Sequence, residues 1–265
     1  MSFYDQPDPG QGGVAWAPQP PAVQVSHLRG LRTALTVLLG VSALISVVTI
    51  VALLLRIQVI DDYVGGTADA ERLGAADDFA VTSNRVWLVM LVVNASVFIV
   101  WQYRHAKNAR ILGSTSWGPG SAIAGWFIPI ANVFLPVRQL WVASKFSDPR
   151  QNGAGIVIAW WLTVFIGGMV MRASGSQESN TIEDFRSADT AAAVGEVLSI
   201  VSAGLAILMV RELTRKQETR LSERLALLGG TAQTAWPASY GQQLPPSYGQ
   251  PPQGAPEPPP VPPQP

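Results

Sequence analysis

Long stretches without charged side chains dominate this chain. Five of them follow one another, at 33–55, 86–103, 111–137, 151–171 and 190–210, and only Glu196 interrupts the last. A helix needs about 20 apolar residues to cross ~30 Å of hydrocarbon, whereas a water-soluble core does not need such windows in succession. The pattern therefore predicts an all-α integral membrane protein, with the lipid bilayer as its first partner.

Composition narrows the possible functions. Charged residues make up 14% of the chain and the net charge is zero, so no electrostatic argument favours binding to nucleic acid. The chain has no cysteine, which excludes disulfides, thiolate metal sites and cysteine nucleophiles. It also lacks a Gly-rich phosphate loop and a GxSxG motif. We therefore predict no catalytic, cofactor-binding or metal-binding residue, and no enzymatic activity.

Proline content separates two tails from the membrane region. Residues 1–27 and 231–265 are rich in Pro, Gln and Gly, a composition that cannot bury enough apolar surface to fold and that predicts disorder. Between them we predict a transmembrane bundle at 28–211 and a charged cytoplasmic helical extension at 212–230. The tails are candidate docking segments for other membrane or cytoplasmic proteins.

The bundle is predicted to contain four spanning helices and one broken segment. The spans are placed at Leu31–Leu55, Arg85–Tyr103, Gly155–Met171 and Thr190–Val210. The segment 117–141 is long enough to span, but Pro129 and Pro136 interrupt its helical hydrogen bonding. Such breaks are tolerated within a membrane only where protein or a watery cavity satisfies the freed backbone groups. We expect a re-entrant or interfacial hairpin here.

The distribution of basic residues supports that topology. If 117–141 enters and leaves on one side, thirteen of the eighteen basic residues share a face: Arg29, Arg32, Arg104, Lys107, Arg110, Arg138, Lys145, Arg150, Arg211, Arg215, Lys216, Arg220 and Arg224. Most acidic residues then lie on the other face. The positive-inside rule places the basic face, and with it both termini, in the cytoplasm.

The hairpin region resembles a known family. The residues that carry the resemblance are Trp101-Gln102-Tyr103-Arg104, Asn108-Ala109, Leu112-Gly113, Gly125-Trp126-Phe127-Ile128-Pro129, Asn132, Pro136 and Trp141. They are similar, over roughly 30–215, to the actinobacterial membrane family called domain of unknown function 4328. The resemblance implies a multi-pass protein of the bacterial cell (inner) membrane and implies no activity. The candidate hairpin motif is Trp126, Phe127, Pro129, Asn132 and Pro136.

A second candidate site is a polar layer inside the bundle. Glu196 is the one ionisable residue within a predicted span, and an acid at that depth is costly and a default functional candidate. At 1.5 Å per residue, Thr49, Asn94 and Thr163 lie at a similar depth, roughly 10–14 Å from the outer surface. The layer could instead be polar glue between helices, and Asn132 could simply satisfy the broken hairpin.

Two further patterns have structural interpretations. Ala191, Gly195, Ser199 and Ala203 recur every four residues, which favours close helix packing within the bundle over a dimer face. Trp101 is expected at the membrane interface, and His105 is expected beside anionic lipid headgroups.

Two functions remain open from the sequence. The favoured one is a non-enzymatic interaction or scaffold protein that acts through its tails and basic face. The alternative is a small transporter or channel component that uses the broken 117–141 segment and Glu196.

Overall fold

The computed structural model describes residues 24–114, 118–148, 150, 153–175 and 181–227. Both predicted tails fall almost entirely outside these residues, as does Trp117 in the hairpin segment. The chain divides into two compact units, Met1–Arg224 and Leu225–Pro265, and only residues 225–227 of the second are described. All regular secondary structure in the described residues is helical.

Six helices form the described part of the chain. They are α1 (Arg29–Val64), α2 (Ala70–Ile111), α3 (Ser121–Phe127), α4 (Pro129–Ser147), α5 (Gly155–Gly175) and α6 (Ile182–Leu227). Four of them, α1, α2, α5 and α6, are long and apolar enough to cross a membrane. The all-α membrane class with four spanning helices is therefore confirmed.

Three of these helices extend well beyond their predicted ends. The helices α1, α2 and α6 contain 36, 42 and 46 residues, whereas about 20 suffice to cross the hydrocarbon. Hydropathy detects only the apolar part of a helix, and its charged ends can continue in water. The helix α6 accordingly runs on without a break through 212–227, and Leu213, Thr214 and Gln217 in that stretch are fully buried.

The segment after α2 forms a broken helical hairpin. The helices α3 and α4 meet at Ile128, whose backbone is extended, and Pro129 begins α4 where a missing N–H costs nothing. Gly125 packs against α4, since a Cβ added there would lie 3.0 Å from Cβ of Leu135. Pro136 is accommodated inside α4 without ending it.

Both ends of the hairpin lie at the same end of the bundle. Gly118, before α3, lies beside the Arg110 guanidinium at the end of α2. Ser147, at the end of α4, contacts Gln217, whose amide also donates to the carbonyl of His105 in α2. We call this the basic end, because Arg104, Lys107 and Arg110 belong to it. The chain of the hairpin thus returns to the end of the bundle from which it came, as a re-entrant or an interfacial hairpin requires.

The packed core lies towards the basic end. Its buried residues come from the N-terminal segment and from five helices: Leu28, Leu35, Phe98, Trp101, Leu140, Val157, Trp160, Ala206, Met209, Val210 and Leu213. The turn between α1 and α2 lies at the opposite end of the bundle, and its Gly66 has a positive φ of 74°. We call this the acidic end, because Asp61, Asp62 and Asp189 belong to it. Large apolar side chains such as Leu44, Val89 and Met169 are exposed on the outside of the bundle, where lipid would cover them.

Candidate functional site

A partly open cavity of about 330 Å³ lies between the spanning helices, and one of its lining residues, Leu91, is 47% exposed. It reaches from Leu35 in α1, one turn from Arg32, to Trp87 in α2 and Met171 in α5, which lie near Arg85 and Arg172. Trp126 of the hairpin closes part of its wall. The cavity therefore follows most of the length that the membrane would cover.

The cavity wall is apolar with a few polar groups set into it. The polar side chains are hydroxyls and one amide, contributed by all four spanning helices: Ser42, Ser46, Asn94, Thr163, Ser199 and Ser202. A mostly apolar wall with a small number of placed polar groups is typical of sites for small ligands.

Asn94 is the most polar group on this wall. Its amide nitrogen donates to Oγ of Ser42 at 2.6 Å and to the carbonyl of Met90 at 2.9 Å. Its amide oxygen has no hydrogen-bond partner within the described residues, and the residue is buried, with only 8% of its surface exposed. A buried acceptor without a partner costs free energy, so this oxygen is a place where a bound molecule could donate a hydrogen bond.

Glu196 lies beside the cavity. It is fully buried, and neither carboxyl oxygen has a hydrogen-bond partner in the part of the chain that the structure describes. The hydroxyl of Ser46, which does line the cavity, lies next to the carboxyl without reaching hydrogen-bond geometry. Along α6, Glu196 is followed at helical spacing by Ser199 and Ala203, which both face the cavity. The carboxyl thus occupies the next position on the same helix face.

The four residues of the predicted polar layer have different surroundings. Asn94 and Thr163 line the cavity, Glu196 is buried beside the cavity-lining Ser46, and Thr49 is buried without being one of the described lining residues. The hydroxyls of Thr49 and Thr163 donate to backbone carbonyls of their own helices, those of Ile45 and Trp160. Three members of the layer therefore lie at one cavity, and Glu196 and Asn94 are the members with unpartnered oxygens.

The hairpin motif supplies one side chain to the cavity. Trp126 packs edge-on against Phe98, with ring centroids 6.0 Å apart, whereas Phe127 is 73% exposed. Pro129 and Pro136 shape the break and α4, as described above. Asn132 is half-buried and is not among the described residues that line the cavity.

Gln102 makes the side-chain hydrogen bonds that hold the hairpin, and sequence reasoning did not single it out for this role. Its amide oxygen accepts from Nε1 of Trp126 at 2.9 Å. Its amide nitrogen donates to the carbonyl of Pro136 at 3.1 Å and lies 3.3 Å from Oε1 of Gln139. An uncharged polar residue within an otherwise apolar window was the available signal.

Trp101 and His105 form a buried pair at the basic end. Both are fully buried, their rings stack with centroids 5.2 Å apart, and Nε1 of Trp101 donates to Oγ1 of Thr214 at 3.1 Å. The expectations of an interfacial Trp101 and of a lipid-facing His105 are wrong, because α6 and α4 extend far enough to cover this part of α2. Asn108 completes the network by exchanging two hydrogen bonds of 2.8 Å with the backbone of Ser26.

The small residues of α6 pack inside the bundle. A Cβ added to Gly195 would lie 2.5 Å from the sulfur of Met171 in α5, so this position requires glycine or a shift of that side chain. Ala203 is buried on the same face. The prediction of internal packing is confirmed at these two positions.

The family assignment agrees with this architecture. Residues 65–215, more than half of the chain, match the family described as domain of unknown function DUF4328. The chain belongs to the DUF4328 family. The DUF4328 match begins just after α1, later than the expected start near residue 30, and it includes the hairpin, Asn94 and Glu196.

Neither of two further comparisons adds a relative. No curated protein and no solved structure matches the chain. DUF4328 carries no assigned activity, so any function has to be argued from the site.

Proposed function

We propose that this DUF4328 protein binds a small, mainly apolar molecule inside the membrane, in the cavity of its helical bundle, as a transporter component or carrier would. The single observation behind this proposal is the cavity itself, about 330 Å³ in volume and lined by all four spanning helices and by Trp126. A volume of this order is typical of sites for drug-sized ligands, and sites between the helices of a bundle are common. The function is one of binding, without catalysis.

The cavity supports the transporter alternative that the sequence left open beside the scaffold hypothesis. It brings Asn94, Thr163 and Trp126 of the broken hairpin to one place. Those were the features on which the transporter alternative depended.

A cavity-filling substitution tests the proposal. Gly168 is an exposed residue at the wall of the cavity, and a Cβ added there has no heavy atom within 4 Å, so Gly168→Leu adds a bulky side chain at the wall without a backbone clash. The protein is reconstituted in nanodiscs, and binding of the neutral fluorescent probe N-phenyl-1-naphthylamine is measured after subtraction of empty nanodiscs. We expect saturable binding to the wild type and at least about a tenfold loss of affinity in Gly168→Leu, since the ligand then has to displace the new side chain.

Gly40→Leu is the matched control. Gly40 also has open space around its added Cβ, lies in a spanning helix and is not one of the cavity-lining residues. This variant should bind the probe like the wild type. Equal binding by wild type, Gly40→Leu and Gly168→Leu would mean that the probe binds elsewhere and would refute the cavity as the site.

We further propose that the protein lies in the cell membrane with its basic end, and therefore both termini, in the cytoplasm. The positive-inside rule supports this orientation, because short loops rich in Lys and Arg stay in the cytoplasm. The absence of cysteine allows single cysteines to be placed at exposed positions: Ala70 at the acidic end, and Arg150 and Ser222 at the basic end.

Labelling of intact cells with a membrane-impermeant maleimide tests this orientation. Only Ala70→Cys should react, and all three variants should react after the cells are permeabilised. The cysteine-free wild type measures the background. Reaction of Arg150→Cys and Ser222→Cys, but not of Ala70→Cys, would reverse the orientation.

A further inference from the structure

The aromatic side chains of the cavity suggest what kind of molecule it takes. Trp87, Phe98, Trp126 and Trp160 all contribute to its wall, and the described lining residues include no Lys, Arg or His. The face of an aromatic ring carries negative potential and attracts cations, most strongly for Trp. Aromatic rings distributed along the cavity, without a basic side chain among the described lining residues, favour a cation over an anion.

Glu196 adds a carboxyl to this environment. An ionised carboxylate taken out of water is very costly unless a partner compensates it, and the described residues give Glu196 no hydrogen-bond partner. The cost is removed either by a proton on the carboxyl or by a cation beside it. Ser46, which touches both the cavity and the carboxyl, connects Glu196 to the space where a ligand would lie.

The cations of the protein itself do not serve Glu196. Glu196 forms no ion pair within the described residues, and Arg56 of α1 already pairs with Asp77 at 3.3 Å and with Asp189 at 3.5 Å. Asp189 is seven residues from Glu196 on α6, so this ion pair lies about 10 Å away. The carboxyl therefore lacks a counter-charge from the described residues at its own depth.

We propose that the ligand is a lipophilic monovalent cation, such as an apolar amine or quaternary ammonium compound, and that Glu196 is its counter-ion. The ligand's apolar groups would lie against the four aromatic rings, and its charge would lie at the level of Ser46 and Glu196. This inference rests on the proposed function, because it names the class of molecule that the cavity binds. It assigns charge recognition to Glu196 and shape recognition to the wall.

Two probes of equal shape and opposite charge test this selectivity. Binding of tritiated tetraphenylphosphonium and of tetraphenylborate is measured by equilibrium dialysis against the full-length protein in nanodiscs of zwitterionic phosphatidylcholine, with empty nanodiscs subtracted. The wild type should bind the cation more tightly than the anion. Glu196→Gln should lower the affinity for the cation at least about tenfold and leave binding of neutral N-phenyl-1-naphthylamine unchanged.

Two further variants separate charge from folding. Glu71→Gln makes the same chemical change at an exposed site at the start of α2 and should keep the affinity for the cation. Glu196→Asp keeps the acid and should keep the preference for the cation over the anion. Binding of the neutral probe by each variant reports whether its cavity is intact.

The results distinguish the two proposals. If Gly168→Leu loses the neutral probe but the cation binds no better than the anion, the cavity is a site and the inference about the cation is wrong. The inference about the cation is also wrong if Glu196→Gln keeps the wild-type affinity for the cation while it still binds the neutral probe. It is likewise wrong if Glu196→Asp binds the neutral probe but loses the preference for the cation over the anion. If the neutral probe does not bind saturably to the wild type, the proposed function is refuted and this inference falls with it.

Discussion

The two ends of the helical bundle are held together by different kinds of interaction. At the acidic end, guanidinium groups pair with carboxylates: Arg56 with Asp77 and Asp189, Arg72 with Asp62, and Arg186 with Asp61 and Glu183. At the basic end, neutral groups predominate in the interior, where Trp101 stacks on His105 and Gln217 binds the His105 carbonyl. The exposed surface of that same end carries most of the Lys and Arg residues.

Exposure to water explains the difference. The Arg72 and Asp62 side chains are 55% and 32% exposed, so water solvates their charges, and such a pair contributes little to stability. Trp101 and His105 are fully buried. A neutral polar group such as the Trp101 indole, which donates to Thr214, can be buried at a modest cost, whereas an unpaired ion cannot. Salt should therefore weaken the exposed pairs of the acidic end, whereas it should affect less the Arg56–Asp189 pair, at 18% and 8% exposure, and the packed basic end.

The largest effect is expected from removing the centre of the basic end. Trp101→Ala deletes a fully buried indole, its stack on His105 and its hydrogen bond to Thr214, and should lower the free energy of unfolding by about 3–5 kcal/mol. Phe134→Ala, at a side chain that is 64% exposed on the hairpin, should change it by less than about 1 kcal/mol. Reversible unfolding in mixed micelles measures both. Equal losses would show that the basic end is not a packed core.

A smaller effect is expected at the acidic end. Arg56→Ala leaves the carboxylate of Asp189, whose side chain is 8% exposed, without its partner and should cost about 1–3 kcal/mol. Arg72→Ala, at the more exposed pair, should cost less than about 1 kcal/mol. Unfolding of both variants is compared with wild type at low and high ionic strength. The double variant Arg56→Ala/Asp189→Asn should recover part of the loss, and a further loss would contradict the assigned pairing.

The smallest effect on stability is expected from the ion pair between Asp148 and Lys216 at the basic end. Asp148, in the connection after α4, accepts from the backbone N–H of Arg150 and pairs with Nζ of Lys216 at 3.2 Å, and these interactions lower its pKa below the ordinary value of 3.8. A pKa that is lower in the folded state means that the contribution to stability is present above about pH 4 and is lost as the pH falls through the folded pKa.

Asp148→Asn should therefore increase local opening of this connection at neutral pH and leave it unchanged at pH 3. Hydrogen exchange of residues 145–150 at the two pH values, corrected for the intrinsic rates, measures the local opening. Glu212→Gln removes the other partner of Lys216 and should leave this connection protected. Faster exchange in Asp148→Asn at both pH values would refute the assigned role of the carboxylate charge.

The positions of the spanning helices could be predicted from the sequence, but their lengths could not. Each predicted span lies within a longer helix or, for α5, nearly coincides with it, because crossing hydrocarbon requires an uninterrupted apolar run. The charged continuation of α2 gives no such signal, whereas that of α6 was predicted as a helical extension at 212–230 and is helical as far as Leu227. Their helical state depends on contacts such as that of Gln217 with His105, which joins residues 112 positions apart.

The candidate site was only partly predictable for the same reason. Glu196 and Asn94 were recognisable as polar residues in apolar windows, and depth along a helix follows from residue number. The rotation of each helix about its own axis does not follow from residue number. Sequence reasoning therefore could not find that Thr163 reaches the cavity while Thr49 is not one of the described lining residues, or that Gln102, and not Asn132, binds across the hairpin.

The sequence by itself determined the membrane class, the four spanning helices, the broken hairpin and the family, because each depends on local composition or on a contiguous motif. Only the tertiary structure decided which faces of those helices meet. It placed a cavity between them, left Glu196 buried without a hydrogen-bond partner among the described residues, and covered Trp101 and His105 with α6. These outcomes depend on how distant helices pack against one another, and a single sequence carries no direct record of that packing.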